Sequence, residues 1–220
     1  MILSVMEKLA GLALKGCVLL LAVTLPSWAG TIAGSAHDFT GSAWSGGRIC
    51  VACHTPHKSD TSVTDAPLWN HSNSTQSYTL YSSATLNATM GQPGGISKLC
   101  MSCHDGTVAV DSFGGTTGST MISARNNLGS TLNDDHPIGF NYNTALATAD
   151  GSLHDPSTKM IAIGAGSQTK SGTIAAVMLY NNKLECSSCH DVHNTFTVGT
   201  TGLLKVSQAG SQICLACHNK

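Results

Sequence analysis

Aromatic residues make up 5% of the 220-residue chain and charged residues 10%, and there are only 6 prolines. A chain so poor in large apolar side chains and in ion pairs has a thin core, and thin cores without cross-links leave small folds marginal. The near-neutral balance, −1 over the whole chain, excludes the basic footprint of a nucleic-acid or anionic-membrane binder. Walker loops, dinucleotide fingerprints and Ser/His/Asp constellations are all missing, so none of those activities is suggested. Long apolar runs are absent beyond the first 29 residues. A membrane-spanning helix needs about 20 such residues.

Against these shortages stand 9 cysteines and 10 histidines. Eight of the cysteines fall in four Cys-x-x-Cys-His pentads: Cys50/Cys53/His54, Cys100/Cys103/His104, Cys186/Cys189/His190 and Cys214/Cys217/His218. This is the attachment sequence of a c-type haem, with two thioether bonds to the porphyrin and an imidazole under the iron. Zinc is the competing use of paired cysteines, but zinc does not require a histidine directly after every second cysteine. A thioredoxin-like redox pair would need a βαβ context that the sequence lacks. Four covalent haem c groups are therefore expected. Their porphyrin faces would supply the apolar surface that the chain does not, so folding is expected to depend on them.

Residues 1–29 carry Lys8 and Lys15, an apolar run from Cys17 to Leu25, and Pro26-Ser-Trp-Ala29. That pattern predicts a secretory signal peptide cut after Ala29, with Cys17 discarded and the eight remaining cysteines all in haem motifs. The mature chain would have 9 basic and 11 acidic residues, a net charge of −2. Haem propionates and ferric porphyrin charges would take it to about −6 oxidised and about −10 reduced.

Six histidines lie outside the pentads. His57 follows His54 by three residues, and His193 follows His190 by three. Two ligands of one iron must approach a wide flat ring from opposite faces, which three residues cannot span. If His57 and His193 are ligands, each binds a haem other than that of its own motif, and the two haems lie almost in contact. An internal repeat selects the distal ligands. The first half reads His37, a doublet ending at His57, then a plain motif ending at His104; the second reads His136, a doublet ending at His193, then a plain motif ending at His218. His37, His57, His136 and His193 are thus the expected distal ligands, with His71 and His154, which lack counterparts, as substitutes. Met90, Met121, Met160 and Met178 are weaker alternatives that would raise the potential.

The expected fold class is loop-rich and mostly irregular, with short helices at the haem motifs and at most one small β-hairpin. Residues 30–36 read as a flexible arm. Gly47–His54, Ile96–His104, Leu184–His190 and a last segment capped by Ser207 read as haem-bearing helical turns, the second closed by Asp105-Gly106. Met160–Ala165 and Ile174–Tyr180 are the strand candidates. The domain parse is a dihaem module over 30–110, a Gly/Thr-rich connector over 111–133 that packs little of itself, and a second dihaem module over 134–220.

The segments His37-Asp-Phe39, Cys50–His57, Ala66–His71, Lys98–Thr107, Asp134–Phe140, Cys186–His193 and Cys214–Lys220 stand in an order that resembles exported multihaem cytochromes with doubled Cys-x-x-Cys-His motifs. Among them the chain looks most like outer-surface tetrahaem cytochromes of the OmcE type, which polymerise into electron-carrying filaments. The resemblance runs from His37 to the C-terminus. It implies bis-histidine haems in a continuous stack, little regular structure, and one haem completed by a neighbouring subunit. For that last role the flexible arm suggests His37, in a head-to-tail homopolymer. If every iron is bis-histidine, no coordination position is open to a substrate, and outer-sphere electron transfer to partner cytochromes and extracellular acceptors remains. The alternatives are a monomeric periplasmic electron shuttle and a multihaem reductase with one open haem site.

Overall fold

The computed structural model describes residues 31–219; the expected signal peptide and Cys17 lie outside them. Among the described residues regular structure is short. The longest helix, α1, is Gly95–His104. The others are Thr144–Asp150 (α2), Ile174–Val177 (α3), Cys186–Cys189 (α4) and Gln212–Leu215 (α5). Three two-stranded sheets complete the frame. Thr79–Leu80 (β1) runs parallel to Thr131–Leu132 (β2), and Phe140–Asn141 (β3) antiparallel to Lys183–Leu184 (β6). Met160–Ala165 (β4) pairs with Gln168–Thr173 (β5) as a hairpin. The loop-rich fold expected from composition is what forms, but the expected limit of one small hairpin is exceeded, since two further short ladders join segments distant in the chain.

Helix α1 ends as its sequence dictates. Asp105 is the C-cap and Gly106 adopts φ +71°, where the Asn127 side chain fills the space a Cβ would need. Small residues let α1 approach α4 closely. Ser97, Ser102 and Ser188 are fully buried. Ser97 donates its hydroxyl to the buried Glu185 carboxylate and accepts from the Cys186 N–H at 3.1 Å. Glu185 and Ser188 also form a capping box at the start of α4.

The structure corrects four local expectations. Ile174–Tyr180 is not a strand. Ile174, Val177 and Met178 are buried at helical spacing, and the Thr173 side chain caps Ala176 N–H, so the segment turns into α3. The partner of β4 is instead the polar Gln168–Thr173, reached through Gly166 in the left-handed conformation (φ +58°). The helical turn expected over Gly47–His54 is shorter, one turn from Cys50 to His54, because Gly46 and Gly47 both sit at positive φ. Ser207 caps only the Ala209 N–H (3.1 Å), and α5 begins five residues later, at Gln212.

Two longer segments also depart from expectation. The stretch after α1 does not lie free: Ala109, Ser112 and Leu132 are buried, β2 joins β1, and Leu128 N–H donates to the His104 carbonyl at 2.7 Å. Its polar residues close their bonds locally and onto α1, which a composition reading counts as loop. The N-terminal arm is anchored at Thr31, while Ala33, Gly34 and Ala36 stay exposed, and the chain packs after it. Phe39 packs on Trp44 with ring centroids 5.1 Å apart, Trp44 packs on Phe113 at 5.9 Å, and Asn194 donates to the Thr31 carbonyl at 2.8 Å.

Candidate haem-binding sites

Each pentad is closed as one helical turn whatever surrounds it. The N–H of His54, His190 and His218 donates to the carbonyl of Cys50, Cys186 and Cys214, at 2.8, 3.1 and 2.9 Å, and His104 ends α1 itself. Cysteines three apart on such a turn share a face, and the histidine follows directly. The eight described cysteines form no disulfide. Burial pushes the Cys53 thiol up to about 11, and those of Cys103 and Cys217 up to about 12, so these remain protonated at neutral pH. Cys100 and Cys186 share a hydrogen bond, which raises the former and lowers the latter.

The motif histidines are oriented from behind. His54 Nδ1 lies 2.7 Å from the Pro67 carbonyl, His104 Nδ1 2.9 Å from that of Asn126, and His190 Nδ1 2.6 Å from that of Gly202. A carbonyl only accepts, so Nδ1 carries the proton and Nε2 keeps its lone pair. This is the outer arrangement that metal-ligating histidines use. Sequence reading missed these three partners because a backbone carbonyl leaves no mark in the residue code.

The histidines outside the motifs separate by geometry. Two imidazoles on opposite sides of one iron, with bonds of about 2 Å plus the ring radius, have centroids about 6.3 Å apart. The rings of His54 and His193 are 6.0 Å apart and 15° from parallel. Those of His37 and His104 are 6.1 Å apart, and those of His136 and His218 6.5 Å. Three motif histidines therefore face a second imidazole at the spacing a shared iron requires. Burial, with His104, His190 and His193 as like-charged neighbours, lowers the pKa of His37 to about 4, so its ring is neutral, as a metal ligand must be. His37 Nδ1 is buried without a hydrogen-bond partner. An orphaned polar atom of this kind marks a site for an ion or group. The residues fit the haem that their motifs call for.

The arm that carries His37 was expected to reach a neighbour. Within one chain the His37 ring lies 6.1 Å from that of His104, and the Phe39–Trp44–Phe113 ring contacts pack the residues that follow it.

The other three histidines behave differently. His71 is 3% exposed with both ring nitrogens against carbonyls, Ser72 at 2.8 Å and Ala109 at 3.0 Å, and its ring 6.1 Å from that of Trp69. It pins β-bridged Phe113 and the 109 segment to the wall beside Cys103, whose sulfur is 3.5 Å away. His154 sits beside the last motif, its N–H donating to the Cys217 carbonyl at 2.8 Å, and burial followed by Lys159 lowers its pKa. His57 is exposed and makes only local bonds with Thr55. Of the methionines, Met178 is core and Met121 and Met160 are exposed.

Residues 180–220 match the family model of the doubled CXXCH motif. These motifs indicate covalently bound haem c. The pairing supports a multihaem c-type cytochrome. No curated protein matches the chain. The matched span holds the third and fourth pentads, and the first and second repeat the same local closure outside it. A doubled motif of this type suggests a multihaem cytochrome involved in electron transfer. Among the described residues no helix is long and apolar enough to cross a membrane.

Proposed function

We propose that this chain is a tetrahaem electron conduit whose irons are bound by histidine on both faces. The observation that carries the reading is the set of three imidazole pairs, His54/His193, His37/His104 and His136/His218, at 6.0, 6.1 and 6.5 Å. In this reading Cys50, Cys53, Cys100, Cys103, Cys186, Cys189, Cys214 and Cys217 hold the haems, and His54, His104, His190 and His218 are the proximal ligands. When bound, each haem supplies one-electron exchange between ferric and ferrous iron. The protein residues would aim the imidazoles: the carbonyls of Pro67, Asn126 and Gly202 hold the Nδ1 protons of His54, His104 and His190, and burial keeps the His37 ring neutral. With two histidines holding each haem, electron transfer without bond formation to a substrate would be the chemistry left.

The His54/His193 pair joins a motif of the first half to a residue of the second. In this reading the two halves share a haem ligand set, and the electron path crosses between them within one chain. Export, an outer-surface location and head-to-tail polymerisation rest on the N-terminal pattern and on the resemblance of the ordered motifs. Electron microscopy of the native protein separates filaments from discrete particles.

The test of the core reading is His37→Ala in the purified holoprotein. It should convert one haem in four to a high-spin species without loss of covalent haem, read by optical and paramagnetic resonance spectra. A wild-type spectrum with several high-spin haems, or a variant that stays wholly low-spin, would overturn it.

A further inference from the structure

We infer that the two Cys-x-x-Cys-His-x-x-His segments exchange distal ligands, so that His57 serves the iron bound by His190 just as His193 serves the iron bound by His54. This rests on the bis-histidine reading above. Three observations lead to it.

The first is the His54/His193 pair itself. The rings are stacked at 6.0 Å and 15°, so residues 190–193 lie across the first motif. His193 is three residues from His190, and the third haem must then sit directly beside the first. The 181–194 region is tied to the first half at other points as well: Asn181 donates to the Asp65 carboxylate at 3.2 Å and Asn194 to the Thr31 carbonyl at 2.8 Å.

The second is the identity of the spacing. A segment that places its own histidine under one iron and the histidine three residues on over the neighbour's has a natural partner in a second segment with the same spacing. Two identical arms around a local twofold make reciprocal contacts, residue i to j and j to i. His54 and His57 answer His190 and His193 position by position.

The third is elimination. His190 is the motif histidine with no imidazole at iron-sharing distance, while His54, His104 and His218 each have one. Its Nδ1 is already committed to the Gly202 carbonyl, which leaves Nε2 for iron. His71 has both ring nitrogens against carbonyls. The backbone of His154 is held beside the fourth motif by its N–H bond to the Cys217 carbonyl. Of the histidines without a ring partner, His57 is exposed and its backbone bonds only with Thr55 of its own turn.

The consequence is a first and a third haem held as a contact pair by two crossed segments, rather than separate dihaem modules in sequence order. The test is a double-mutant comparison on spin state in the discrete, non-associated holoprotein, with covalent haem counted by mass. His57→Ala should give one perturbed haem in four, restored to low spin by added imidazole. His190→Met should also perturb one haem, and this milder change keeps a ligand so that the chain folds. Because both residues act on the same iron, the double variant should still show one perturbed haem, not two. Two perturbed haems would overturn the exchange. So would a His57→Ala variant that stays low-spin, or a wild-type single chain with one high-spin haem that becomes low-spin only on association with a second copy. A wild-type protein with several high-spin haems would instead defeat the bis-histidine reading itself, so the two failures are distinguishable.

Discussion

Residues 134–219 bury Phe140, Tyr142, Ala147, Ile163, Ile174, Val177, Met178, Leu184 and Ala216 in one cluster. The preceding half has two clusters of three, Val63/Trp69/Leu99 and Tyr78/Met101/Leu132. Both halves carry the same pattern of pentads and spare histidines, yet they are stabilised differently. The second has a small protein core beside its haem motifs, built from a hairpin and α3. The first has a polar scaffold instead. Buried Asp105 accepts from Ser74, from Tyr78 at 2.8 Å and from the Thr107 N–H at 2.8 Å, and Ser74 N–H reaches Ser102 at 3.0 Å. Hydrogen bonds give geometry but little net stability, about 1 kcal/mol each. The difference teaches that equal motifs do not imply equal dependence on the cofactor. The half with less apolar burial of its own should lean on haem more.

The largest expected effect tests that dependence directly. Replacing Cys100 and Cys103 by Ala removes a haem from the thin half and should lower soluble protein about tenfold or more, as loss of a structural metal does. Replacing Cys214 and Cys217 should leave a trihaem protein at about half the wild-type yield, because the neighbouring core persists. Yield and haem count by mass decide it, and equal losses would break the comparison.

A smaller effect compares the cores. Ile174→Ala at a fully buried site should cost about 3 kcal/mol, and Val63→Ala about 1 kcal/mol. Denaturant unfolding of the ferric holoprotein, followed at the haem band, measures both. A Val63 cost as large as that of Ile174 would show that the first half has a core of its own after all.

The smallest effect separates structural from ligating histidine. His71→Gln should cost about 1 kcal/mol through its lost carbonyl contacts while leaving every haem low-spin. A new high-spin signal would make His71 a ligand and the first half's scaffold correspondingly poorer.

The sequence by itself determined the cofactor chemistry. Thioether attachment needs two thiols and an imidazole within five residues, so its signature is local and survives in the linear code. It also determined the character of the fold, since a chain with 23 glycines and 5% aromatics cannot build long apolar elements. Helix α1 and its Gly106 stop were legible for the same reason: their determinants are neighbours in the chain. Only the tertiary structure decided which imidazoles face each other. His37 meets His104 across 67 residues and His54 meets His193 across 139, and nothing in either spacing selects those partners. It alone distinguished His71, buried with both ring nitrogens beside carbonyls, from His37, buried with a nitrogen unpaired. And it alone showed that Ile174 begins a helix, because a short apolar run fits either period until its neighbours choose the face to cover. Pairing across a fold is a property of chain closure, in which each contact depends on every other, and no local pattern carries it.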